Sequence, residues 1–178
     1  KAVKEASGGR SAVAVSYGYT LELPRAYSGH LALRTVLDSP FVDILTGPIS
    51  YCGRHPGGSA PPPAPIDSVT LAGKLWVCED DTKTPLATGR TPDGYNPKIE
   101  TDEGVRACHA RNIGAAIVKG VGLSWMDLWG EGWLDSRETW QELARLRQLA
   151  ELAAERRTRP VGDPEVAVLV DERAFFSV

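Results

Sequence analysis

Residues 73–86 read GKLWVCEDDTKTPL. An apolar run from Leu75 to Cys78 leads directly into Glu79, Asp80 and Asp81, and then into Lys83 between two threonines. A short apolar run behind a glycine reads as a buried strand. Side chains alternate along a strand, so Leu75, Val77 and Glu79 share one face and Trp76 and Cys78 share the other. If the first set faces the interior of a barrel, Glu79 projects into its mouth. The plainer alternative is a solvated strand end with Asp80 and Asp81 capping the loop, and the pattern alone leaves both open.

The rest of the chain supplies units that could surround such a strand. Residues 12–17, AVAVSY, read as a first strand, and SGHLALRTVLDS follows with Leu31, Leu33, Val36 and Leu37 at helical spacing. FVDILTGP, from Phe41, reads as a second strand ended by Gly47-Pro48. A long loop, ISYCGRHPGGSAPPPAPIDS, then intervenes, and its run Pro61–Pro63 excludes regular helix or central strand. After the strand that ends in Glu79, a second loop runs to Thr101. Thr101 is the expected cap of a helix whose first turn holds Asp102 and Glu103, where the dipole favours acids.

VGLSWMDLW reads as a fourth strand. Asp135 and Glu138 form an aspartate version of the capping box ahead of a long helix with Trp140, Leu143, Leu146, Leu149 and Ala153 inward. Arg147 and Glu151 on it are spaced as a surface pair. RRTRPVGDP reads as a linker, and EVAVLV as a fifth strand opening another α/β unit. Strands alternating with helices argue for an α/β chain with parallel strands and crossover helices, though no clear helix joins the second and third strands. The expected division is 1–158 for the main domain and 159–178 for the linker and the next domain's first strand.

Composition narrows the function. The 178 residues are 42% hydrophobic, enough for a real core, and the formal net charge is −3. No basic stripe suits nucleic acid, and no apolar run is long enough to span a bilayer. Cys52, Cys78 and Cys108 form no CxxC pair, so no disulfide framework is indicated. No cofactor and no metal are expected: there is no glycine-rich phosphate loop, and His30, His55 and His109 are scattered without HExxH spacing. A GxSxG elbow is lacking too. The start, KAVKEASGG, carries no signal pattern, and AFFSV follows directly on the last strand, so the expectation is a piece of something longer. Localisation is left open, with the cytoplasm favoured.

Sites in parallel α/β architectures lie at the C-terminal ends of strands. Those ends carry Ser16, Tyr17 and Tyr19; Pro48, Ser50, Tyr51 and Arg54; Glu79, Asp80 and Asp81; and Trp125, Asp127 and Trp129. Carboxylates perform the nucleophile and proton work of glycoside cleavage, and aromatic faces suit the C–H face of a sugar ring. The candidates are therefore Glu79 for catalysis and Tyr17, Tyr51, Arg54, Asp81 and Trp125 for carbohydrate binding. EDDTKT also admits a phosphotransfer or divalent-metal reading.

VDILTGPISYCGR, DSVTLAGKLWVCEDDTKT and GLSWMDLWGEGWLDS together resemble the second half of the (β/α)8 barrel of beta-galactosidase-like clan A glycoside hydrolases, near glycoside hydrolase family 42. The resemblance spans roughly residues 12–152, and DPEVAVLVDERAFF resembles the start of the flavodoxin-like domain that follows that barrel. It implies a partial TIM barrel, strands five to eight, and retaining hydrolysis by two glutamates on strands four and seven. The nucleophile falls on Glu79, the tyrosine that bonds it on Tyr51, and the tryptophan flooring the sugar site on Trp125. The acid/base glutamate has no counterpart in this chain, so the isolated chain is expected to be inactive. The family's arginine in the acidic stretch is Lys83 here, which lacks the planar fork. The expected partner is a carbohydrate substrate, with no nucleic acid and no membrane, and the parent is expected to be a homo-oligomer, a trimer. The alternatives are a non-catalytic carbohydrate-binding barrel and an α/β phosphotransfer protein.

Overall fold

The computed structural model describes residues 1–22, 29–89, 96–156 and 165–176. Among these, the elements are α1 (Ala2–Ala6), β1 (Ala14–Ser16), α2 (Leu33–Leu37), β2 (Ile44–Pro48), α3 (Ile66–Leu71), β3 (Leu75–Asp80), α4 (Asp102–Lys119), β4 (Gly122–Trp125) and α5 (Arg137–Arg156), with a 3-10 turn over Glu172–Phe176. The four strands form one parallel sheet flanked by helices, in the spatial order β1-β2-β3-β4. The β1/β2 register pairs Ala14 with Ile44, Val15 with Leu45 and Ser16 with Thr46. Each strand thus lies beside its sequence neighbour, so the helices between them act as crossovers.

Four local expectations change. The stretch between β2 and β3 does hold a helix: Pro65 is the N-cap of α3, and Ile66 and Val69, one turn apart, are buried. Proline forbids a helix interior but suits the entrance to one, so the proline-rich run ends where the helix begins. At α5 the cap is Ser136, not Asp135. The Ser136 hydroxyl accepts the Thr139 N–H at 3.2 Å and donates to the Glu138 carboxylate at 3.2 Å. Trp140, expected inward, is 53% exposed, and α5 buries only Leu143 and Leu146. Residues 166–170 form no strand; Leu169 is 95% exposed, because a β-prone segment without a neighbouring strand has no ladder to join. The linker at 157–164 lies outside the described residues.

The chain divides into two compact units. The first comprises Lys1–Gly47, Pro62–Cys78 and Pro164–Val178. Its core gathers Leu33, Leu45, Ile66, Val69 and Trp76, all buried. Gly47 is required there: a Cβ would lie 2.4 Å from the Gly18 Cα and 3.1 Å from the Trp76 ring. The Leu33 N–H, at the first turn of α2, donates to both carboxylate oxygens of Glu172 at 2.8 and 3.0 Å. An acid at a helix N-terminus satisfies an orphan donor and meets the positive end of the dipole.

The second unit comprises Pro48–Pro61 and Glu79–Asp163. Thr101 caps α4 as expected, its hydroxyl accepting the Gly104 N–H at 3.1 Å, and Gly120 closes the helix at φ 68°. Ile113 of α4 packs with Leu143 and Leu146 of α5, and Leu123 and Trp125 of β4 lie against that cluster. The Arg147–Glu151 pair forms at 2.8 Å.

Candidate active site

The site is built where β2, β3 and β4 end. The Ile49 N–H donates to the Glu79 carbonyl at 3.1 Å, and the Met126 N–H donates to the Asp80 carbonyl at 3.0 Å. Three segments therefore leave the sheet side by side: 49–54, 79–84 and 126–133. Asp80 is 2% exposed and its carboxylate accepts the Asn112 amide of α4 at 2.8 Å, so Asp80 faces the helices. Alternation turns Glu79, half-buried, to the opposite face.

Asp81, two residues after Glu79, belongs to a buried polar network. The Arg54 guanidinium donates to the Asp81 carboxylate at 2.7 Å, to the Asn96 side-chain oxygen at 2.8 Å, to the Ser50 carbonyl at 3.1 Å and to the Ile49 carbonyl. The Asn96 amide returns to the Asp81 carbonyl at 2.9 Å. The Tyr51 hydroxyl donates to Asp81 at 3.3 Å, while the Arg54 guanidinium lies 4.1 Å from the centre of the Tyr51 ring. Arg54 and Asp81 are 4% and 2% exposed, so each meets the other's charge rather than solvent. The pair ties Tyr51 and the start of the 49–61 loop to the segment that follows β3.

A second arginine pins the same loop from α4. Arg111 donates to the carbonyls of His55 and Gly58 at 2.9 Å and of Arg54 at 3.1 Å, and its Nε meets the Asn112 oxygen at 3.0 Å. Asn112 in turn holds Asp80, which links this clamp to the end of β3. The loop closes on itself at Gly58, where a Cβ would fall 1.9 Å from the Gly53 carbonyl oxygen.

The segments after β3 and β4 also lock together. Lys83 is 2% exposed, with its ammonium 5.7 Å from the Trp133 ring centre, and the Thr84 hydroxyl donates to the Trp133 carbonyl. Asp127 organises the turn after β4, accepting the N–H groups of Gly132 at 2.6 Å, Trp133 at 3.0 Å and Trp129 at 3.2 Å. Burial pushes its carboxyl upward, but these donors and the Glu131 N–H together hold it below the usual carboxylate range.

On the helix side, His109 is 1% exposed, with its ring centre 6.4 Å from that of Trp125. Burial lowers its pKa from the ordinary 6.5, against the pull of Asp80 and Glu142 and with the push of Arg111. The unfolded chain therefore binds more protons between the folded value and 6.5. Stability is full above that window and is lost as pH falls through it, at up to about 1.4 kcal/mol per pH unit. His30 in the first unit shifts the same way through burial. Urea midpoints at about pH 7.5 and about pH 5.5 are expected to diverge in the parent protein and to diverge less in His109→Gln. An unchanged divergence would contradict the assignment.

Of the candidates read from sequence, Tyr51, Arg54 and Asp81 come together, and Glu79 stands two residues before Asp81 at the end of β3. Trp125 does not join them; it packs on the helix-covered face, opposite Glu79, because β4 turns it toward Ile113, Leu143 and Leu146. Tyr17 belongs to the first unit and is 5% exposed, and its hydroxyl oxygen accepts the Ala32 N–H. Burial raises its pKa, the Ala32 bond lowers it and the Glu172 charge raises it. Asn96, Arg111 and Asn112 carry no local signal in sequence, since their partners lie far along the chain. Trp129, at a strand end and 57% exposed, is the aromatic that the third segment presents to solvent. Among the described residues no group of His, Cys, Asp or Glu is arranged to hold a metal ion, and no helix is long and apolar enough to cross a membrane. No protein-family model, curated protein or solved structure matches the chain.

Proposed function

We propose that this chain is part of a retaining glycoside hydrolase of the beta-galactosidase-like kind, with Glu79 as nucleophile, on half of a (β/α)8 barrel. Four parallel strands in sequential order, with helices between them, support the barrel half. The observation that carries the chemistry is the position of Glu79. It is a half-buried carboxylate at a strand's C-terminal end, turned away from the helices and two residues before Asp81, which accepts the Tyr51 hydroxyl and the Arg54 guanidinium.

A Glu79 oxygen would attack the anomeric carbon as the bond to the leaving oxygen breaks, giving a glycosyl ester that water then hydrolyses. A second carboxyl group about 5–5.5 Å away protonates the leaving oxygen in such enzymes. The resemblance puts that group on strand four, upstream of Lys1. Tyr51 and Arg54 contribute rigidity, since a site held in place needs little reorganisation as charge develops. Hydrolysis of an aryl β-galactoside tests the reading: Glu79→Gln should keep sugar binding and lose turnover, and surviving turnover would make the nucleophile assignment wrong.

A further inference from the structure

His109 is a buried titratable group that the proposed chemistry does not use. Its ring stands edge-on to Trp125 of β4, and its Nε2 meets no hydrogen-bond partner among the described residues. Charged groups act on it from three elements: Asp80 at the end of β3, Glu142 on α5 and Arg111 on α4 itself. Both acids are already engaged. Glu142 accepts the Arg145 guanidinium at 2.6 and 2.9 Å and also feels Arg106. One Asp80 oxygen accepts the Thr82 hydroxyl at 2.6 Å and its N–H at 3.2 Å, and the other accepts the Asn112 amide at 2.8 Å. An imidazolium here would be buried without an acceptor and beside a guanidinium, so a proton is costly unless the surroundings give way.

What gives way is set by the neighbours of His109 on α4. The Cys108 thiol donates to the Arg54 carbonyl at 3.4 Å, and Arg111 holds the carbonyls of Arg54, His55 and Gly58. Asn112, three residues on and on the same side of the helix as His109, joins Arg111 to Asp80. If Asp80 turns to a charged His109, it drops the Asn112 amide and with it the support of Arg111. Repulsion between imidazolium and guanidinium acts in the same sense. We propose that His109 is a proton-operated latch on the 49–61 loop: taking up a proton releases the Arg111–Asn112 clamp and loosens the loop that carries Tyr51 and Arg54. The latch needs only this packing and holds whether or not Glu79 is a nucleophile. Burial lowers the His109 pKa while the clamp is closed, and opening returns it toward the ordinary 6.5. The open state therefore binds more protons, and acid favours it by at most about tenfold per pH unit.

The test is amide hydrogen exchange of the full 178-residue chain at about pH 7.5 and about pH 5.5, expressed as protection factors so that the intrinsic pH dependence of exchange is removed. The probes are the Gly58 and Ala60 amides, which close the loop on the His55 carbonyl at 3.0 Å and the Gly53 carbonyl at 3.2 Å. Their protection should fall on acidification, by up to about a hundredfold over these two pH units. It should stay below that of Leu143 and Leu146 at both pH values, because a local opening costs less than unfolding. His109→Gln should remove the pH response, whereas His55→Gln, which changes the loop's own exposed imidazole, should keep it. The midpoint of the change should coincide with the titration of the His109 ring followed by its Cε1 shift in the parent chain, a readout that needs no variant to fold. Loop protection equal to that of Leu143 and Leu146, a response that survives in His109→Gln or vanishes in His55→Gln, or a midpoint apart from the His109 titration would each overturn the latch.

Discussion

Replacing Arg54 by alanine is expected to destabilise the second unit by about 3–5 kcal/mol, because it strands Asp81 as a buried, uncompensated charge. Arg54 does more than neutralise Asp81. It also satisfies Asn96 and two carbonyls of its own loop, and its guanidinium lies against the Tyr51 ring. Lysine should recover little, since one ammonium on a flexible stem cannot donate in all those directions. Removing both charges, as Arg54→Met with Asp81→Leu, should recover a large part of the loss, because no buried charge is then left unpaired. Urea unfolding of the four proteins decides the matter. If Arg54→Ala costs less than about 1 kcal/mol, the pair is no more than a surface-like ion pair and the site lacks the rigidity argued for it.

The second large effect concerns leaving groups. Under the proposed mechanism, Glu79 would attack without help when the leaving group departs as a stable anion, whereas a sugar alkoxide would need a proton from an acid. General acid catalysis contributes about 10²–10⁴-fold in rate. The isolated chain should therefore act slowly on a dinitrophenyl β-galactoside and give no detectable turnover of lactose. An upstream-extended polypeptide that supplies the acid should restore the missing factor for lactose and change the dinitrophenyl rate far less. Glu79→Gln should abolish both activities. Robust lactose hydrolysis by the isolated chain would refute the idea that the acid is absent from it.

What sequence made legible was short-range. The alternation of Leu75 to Glu79 follows from strand geometry alone, and Asp80, next in line, falls with Trp76 on the buried set. Thr101 was readable because a cap is a contact three residues long. The Arg54–Asp81 pair was legible only as two strand-end residues, and its closing partner Asn96 lies 42 residues from Arg54. Asn112 reaches Asp80 across 32 residues, from a helix face that periodicity cannot aim.

The two tryptophan assignments reversed for related reasons. Trp140 sits on the inward stripe by spacing, but α5 packs only through Leu143 and Leu146. Trp125 ends a strand of four residues, too short for alternation to fix which face it shares with Glu79 on the neighbouring strand. The EVAVLV segment has the composition of a strand, yet strand formation is a property of pairs. Ser136 rather than Asp135 starts α5 because one residue of phase decides which side chain meets the first free N–H groups.

The most direct test of Glu79 as nucleophile is covalent capture. Under the proposed mechanism, incubating the chain with 2,4-dinitrophenyl 2-deoxy-2-fluoro-β-galactoside should release dinitrophenolate, which takes the electron pair of the broken bond and needs no acid. The fluorine slows hydrolysis of the resulting ester. Peptide mass spectrometry should then find the fluorosugar on the peptide containing Glu79, and nothing on the Glu79→Gln protein. An unlabelled chain, or a label that forms equally in Glu79→Gln, would contradict the account.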